Sequence, residues 1–147
     1  MKVVNKLPVG VVGEIADSSL KRVLMKQVGT GAVEIGLALT ADSAGLVAKG
    51  GTGAFAGIAV SPKQYSKDGL GTTMTIPANG SVEALSFGRV WVKVASAVTI
   101  GAQASFSQSA GTISAATGSG NTAIANSKFL TAATGGTGDE VALLELS

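Results

Sequence analysis

The chain has 147 residues, of which 46% are hydrophobic, 4% aromatic and 21 glycine, with no cysteine and no histidine. That composition excludes a disulfide framework, thiolate or imidazole metal sites, and the Ser-His-Asp and Cys-His catalytic arrangements. A net charge of +2 with 14% charged residues is too weak for nucleic acid to be the default partner, which requires clustered Lys and Arg.

The length suits one domain, and abundant small residues and glycines suit short strands and frequent turns rather than long helices. Residues 1–18 read as an extended N-terminal arm. Pro8 biases Leu7 away from helix, and Gly10 and Gly13 interrupt any helical period. Lys2, Lys6, Lys21, Arg22 and Lys26 give this end a mild basic bias, read as solvated surface or as a docking arm for an acidic partner. The opening MKVVNKLPVG is not a signal peptide, and no apolar run approaches the length of a membrane span.

Residues 19–147 read as a single β domain. Ser19–Met25 fits a short helix, with Leu20, Val23 and Leu24 at helical spacing, or a strand RVLMKQV ending at Gly29. Ala32–Thr40 predicts a strand with Val33, Ile35, Leu37 and Leu39 on one face. Ala54–Val60 and Thr72–Ile76 predict further strands, separated by a polar loop carrying the sole tyrosine, Tyr65. Pro77-Ala78-Asn79-Gly80 is a turn. In Ser81–Phe106, Gly88 reads as a hairpin turn or bulge dividing two strands, moving the buried parity from Leu85 and Phe87 to Val90, Val92 and Val94. The opposite face then carries Arg89, Trp91 and Lys93. The sole tryptophan between two cations is either a sheet residue covered by the chain's own arm or an interface anchor. Val98 to Phe106 and Thr112 to Ala115 predict a hairpin, residues 116–122 a loop, and Ser127–Ala132 and Glu140–Leu146 the last strands. The final strand is apolar on both parities and is expected to be central or covered on both sides. Fold class is therefore all-β, a small antiparallel barrel or sandwich with an extended N-terminal arm.

Catalytic and cofactor chemistry finds little support. The nine acids are scattered, whereas a carboxylate-pair hydrolase needs two facing one cleft. Gly51-Thr52-Gly53-Ala54-Phe55-Ala56 has the letters of a dinucleotide fingerprint, but a β-like segment ending at proline follows it instead of a helix. Asp139 and Glu140 lack the acid spacing of a calcium loop. The reading is a non-enzyme with no cofactor and no metal. A receptor- or carbohydrate-binding β module of a spike or adhesin is the alternative, which Trp91 and Tyr65 at one pocket would favour.

Four segments, PVGVVGEIADSS, GAFAGIAVSPKQYS, SVEALSFGRVWVKVASAVTIGAQASFS and KFLTAATGGTGDEVALLEL, resemble the structural cement (decoration) proteins of tailed bacteriophage capsids. The likeness runs from about Pro8 to Leu146. It implies an all-β virion protein on the capsid exterior that bridges neighbouring major capsid proteins, with no catalytic residues. It also implies self-association around a local symmetry axis, a homo-trimer ahead of a dimer, and no direct contact with nucleic acid or membrane. Candidate capsid or self-association contacts are Lys2, Lys6, Leu7, Arg89, Trp91 and Lys93.

Overall fold

A computed structural model describes residues 10–16, 20–60 and 74–147. Lys2, Lys6, Leu7 and Tyr65 lie outside these residues. No described residue is helical. The ambiguous segment near residue 20 resolves as strand β1, Arg22–Gln27. Its hydrogen-bonding partner is far away in the sequence, and pairing decides what local periodicity left open.

The described residues form twelve strands, β1 included, in chain order. After β1 come β2 (Val33–Glu34), β3 (Ala38–Ala41), β4 (Val47–Lys49), β5 (Ala54–Val60) and β6 (Thr75–Ile76). The second half holds β7 (Ser81–Lys93), β8 (Ser105–Ser107), β9 (Ile113–Ser114), β10 (Asn121–Ala123), β11 (Ser127–Phe129) and β12 (Val141–Leu146). The main sheet runs β11-β12-β7-β5-β3-β4, with β1 also paired to β7. A three-stranded sheet, β10-β8-β9, and a two-stranded ribbon, β2-β6, complete the set. The ends of the main sheet do not pair with each other, so the arrangement is sandwich-like and not a closed barrel.

β7 is the axis of the fold. Its first half lies between β1 and β5, with Leu85 opposite both Val23 and Ile58. Its second half pairs with β12 on one edge, Val94 N–H donating to the Glu140 carbonyl at 2.7 Å. On the other edge Trp91 N–H donates to the Glu14 carbonyl at 3.0 Å. The expected division at Gly88 takes a different form: β7 is one continuous 13-residue strand. Gly88, at φ +125°, is an irregularity within it, and just before it the β1 register slips by one residue between Leu85 and Phe87. The parity change does occur, since Leu85 enters the same core as Val90, Val92 and Val94. Phe87 stays half-buried and outside that core.

Two cores flank the main sheet. The larger lies between its second half and the three-stranded sheet and includes Val90, Val92, Phe106, Ile113, Phe129 and Leu144. Phe55 stacks on Phe106 with ring centroids 6.0 Å apart. The smaller core includes Val28, Val33, Leu39, Ala59, Ile76 and Val82. Alternation along β5 sends Ile58 and Val60 to the first core and Ala59 to the second. The sheet is thus buried on both faces there, which is why AFAGIAV lacks polar alternation.

Two expected strands are shorter than their apolar patterns. The 32–40 segment breaks between β2 and β3 at Gly36, which has φ +88°. The 98–106 segment turns at Gly101, φ +85°, leaving Ile100 70% exposed and only Ser105–Ser107 as strand. The 116–122 loop ends in β10, which pairs with β8. The last strand is central as expected, between β11 and β7.

Candidate interaction surface

Trp91 is 8% exposed, and of the two readings of this residue the structure shows the sheet residue covered by the chain's own early segment. Residues 10–16 run along the open edge of β7. Gly13 N–H donates to the Trp91 carbonyl at 2.8 Å and Ala16 N–H to the Arg89 carbonyl at 3.0 Å. A Cβ added to Gly10 would lie 2.1 Å from Trp91 Cδ1, so the glycine backbone rests directly on the indole. The same segment interlocks with the turn after β2. A Cβ on Gly13 would meet Ile35 Cγ2 at 1.7 Å, and one on Gly36 would meet Val12 Cγ1 at 2.3 Å. The glycine punctuation of this segment serves close approach as well as helix breaking.

The two flanking cations are engaged across the sheet. Arg89 Nε sits 2.8 Å from Glu145 Oε2, and Lys128 Nζ lies 3.3 Å from Glu145 Oε1. The β7-β12 register sets Arg89 opposite Glu145, and the β11-β12 register sets Lys128 opposite Glu145. Lys93 Nζ lies 2.8 Å from Glu140 Oε2. The face beside Trp91 is therefore a charged ladder whose cations already have acids, while Lys93 keeps 66% of its side chain exposed.

Arg89 first, with Lys128, holds the Glu145 carboxyl below the usual glutamate range, against partial desolvation. A lowered folded-state pKa contributes stability that is present above the unfolded value and lost as pH falls through the folded one. Arg89 is 42% exposed, so solvent screening limits the effect. Glu145→Gln is expected to cost less than about 1 kcal/mol at pH 7. The difference from the parent chain should shrink below about pH 4.3, the unfolded glutamate value. Urea titrations of both proteins from pH 7 to pH 3 check this, and a difference independent of pH would refute the ladder's contribution.

No group of three or more potential metal ligands occurs among the described residues. A hollow of about 220 Å³ lies among Gly29, Thr40, Asp42, Leu46 and Val47, smaller than typical small-molecule sites. Its one ionisable group is spent on its own turn, since Asp42 Oδ1 accepts from the amides of Ala44 at 2.8 Å and Leu46 at 3.0 Å. Asp139 likewise accepts from the Thr134 amide at 3.1 Å.

Charge alone reads Lys21, Arg22 and Lys26 as solvated surface or a docking arm, and does not single out the exposed apolar side chains of β1 beside them. Leu20, Leu24 and Met25 are 80%, 49% and 59% exposed, and Lys21 and Arg22 stand in solvent beside them. The signal was available in LKRVLMK, where apolar residues and cations adjoin without an acid.

Residues 2–147 match the family model described as structural cement protein (E217 gp24/Pam3 gp6). No curated protein matches the chain. A chain in the solved structure titled "The capsid of Myoviridae Phage XM1" superposes with a TM-score of 0.71 at 22% identity, covering 99% of this chain and 94% of that one. At that identity the likeness speaks for the fold. The family match, which spans nearly the whole chain, speaks for kinship: this chain belongs to the structural cement protein family.

Proposed function

We propose that the protein binds the outside of an icosahedral tailed-phage capsid and cements neighbouring major capsid proteins. The family match over residues 2–147 carries this reading. The architecture supports it, with exposed strand edges, acids paired across the sheet and a basic, apolar surface along β1. Cementing requires no chemistry, only contact area on more than one subunit. A contact of roughly 1,600 Å² per copy suffices, because many copies act together on one shell. Burial of Trp91 removes the aromatic platform that a carbohydrate-binding module would need.

Residues 1–18 are the arm of this reading and residues 19–147 its domain. Lys2, Lys6 and Leu7, with the exposed parts of Arg89 and Lys93, are the proposed shell contacts. Self-association around a local axis belongs to the same reading, a trimer ahead of a dimer, and sedimentation of the free protein measures it.

The test mixes purified protein with expanded, undecorated shells of its major capsid protein. Saturable, stoichiometric binding and a raised shell-disruption temperature are expected. Absence of binding would overturn the proposal.

A further inference from the structure

We propose that the outer edge of β1 takes up an extended, acidic segment of the major capsid protein as an added strand. This rests on the capsid reading above and assigns one contact within it.

Among the described residues, β1 pairs along its length with β7, and just past its end Val28 bridges Val47 of β4, Gly29 N–H donating to the Val47 carbonyl at 2.9 Å. Val28 N–H donates to the Gly80 carbonyl at 2.8 Å, just beyond the end of the strand. In an antiparallel ladder the hydrogen-bonded positions alternate. Lys26 and Leu24 are therefore the residues bonded to β7, and Val23, Met25 and Gln27 aim their N–H and C=O groups away from it. The bridge to Val47 takes the Gln27 end of this edge, so Val23 and Met25 present the open donors and acceptors, a row about 7 Å long, enough to start a short strand pair.

The side chains around this row select the occupant. Lys21 and Arg22 are exposed and Lys26 is half-buried. Among the described residues, none of the three pairs with an acid, in contrast to Lys49, Arg89, Lys93 and Lys128. Exposed Leu20, Leu24 and Met25 lie beside and among them. Cations on a sheet edge discourage pairing with an identical edge. A second copy would bring three more positive charges to the same place, where like charges oppose across strands. An acidic strand would neutralise them while covering the apolar side chains, and its main chain would complete the ladder. The charge pattern therefore favours a partner of opposite sign over self-pairing.

The experiment compares the full-length protein with two variants on undecorated shells at several salt concentrations. Met25→Pro removes an outward N–H without taking a bond from β7, the setting in which edge proline is tolerated. K21E/R22E/K26E reverses the charge and leaves the backbone intact. Thermal melts of both variants establish folding. Each is expected to bind at least about tenfold more weakly than the parent, and binding of the charge-reversed variant should no longer weaken as salt rises. Hydrogen exchange on decorated shells should show new protection at the amides of Val23 and Met25. If the parent binds shells and the charge-reversed variant binds equally well, the inference is overturned and the capsid reading stands. Protection of these amides in the free protein, rising with its concentration, would assign the edge to a second copy and overturn it too. Failure of the parent to bind any shell strikes the capsid reading itself.

Discussion

Replacing Trp91 with alanine is expected to lower the unfolding free energy by about 3–5 kcal/mol. The indole is 8% exposed and lies outside both apolar cores. Its burial comes from residues 10–13 laid across it on the open edge of β7. Truncation therefore removes the buried ring and also the surface against which Gly10 packs. The hydrogen bonds of Gly13 and Glu14 to the Trp91 backbone survive the substitution in principle, but the segment loses its apolar anchor. Gly10→Ala is the complementary probe. It keeps the tryptophan and places a methyl group where the indole stands, so the segment lifts while β7 and β12 remain paired. Urea unfolding measures both variants, and hydrogen exchange at Gly13 and Ala16 reports the segment directly. A loss below about 1 kcal/mol for Trp91→Ala, with shell binding abolished, would return Trp91 to the role of surface anchor.

The cover over Trp91 shows which parts of this fold are readable from sequence and which are not. Strand β5 is bounded by KGGTG and by Ser61-Pro62, and it forms over the segment those signals mark, Ala54–Val60. The turn at Pro77–Gly80 forms with Asn79 at φ +63°, as its residue types require. The parity change at Gly88 was also legible, because hydrophobic positions on either side of a glycine switch register. Such signals are local. Strand 32–40 was misread as continuous because its break at Gly36 is set by Val12, more than twenty positions earlier, packing where a Cβ would stand. The cover over Trp91 stayed open between two readings for the same reason. Alternation correctly put Arg89, Trp91 and Lys93 on the face opposite Val90 and Val92, but nothing local decides whether the chain's own arm or a partner covers the tryptophan. Of the site candidates, Arg89 and Lys93 retain exposed side-chain area. The β1 edge emerged only once the pairing of β7 was known, since a strand's free edge is a property of the sheet.

Alanine at Gly111 is expected to cost about 3 kcal/mol or more, and at Gly101 about 1 kcal/mol, although both glycines have positive φ, +73° and +85°. The difference isolates close approach from backbone conformation. A Cβ at Gly101 would meet nothing within 4 Å, so only the left-handed backbone penalty applies. A Cβ at Gly111 would stand 2.8 Å from the Ala38 carbonyl oxygen and 2.8 Å from the Gly50 nitrogen. Both obstacles are backbone and cannot rotate aside. This contact is where the turn between β8 and β9 docks on the main sheet. Ala38 N–H donates to the Gly111 carbonyl at 2.9 Å, Gly50 N–H to Ala38 at 2.9 Å, and Gly51 N–H to Gln108 at 2.7 Å. Moving the turn away to admit a methyl group strains the Gly111 and Gln108 bonds and loosens Phe106 and Ile113, which the same hairpin delivers to the larger core. The Gly111 variant should therefore lose amide protection across β8 and β9 before the β7-β12 pair loses any, whereas the Gly101 variant should unfold with the parent's order of protection. Equal losses for the two variants would mean that conformation alone requires glycine at 111. The hairpin would then be held by its apolar side chains, with no contribution from the backbone contact.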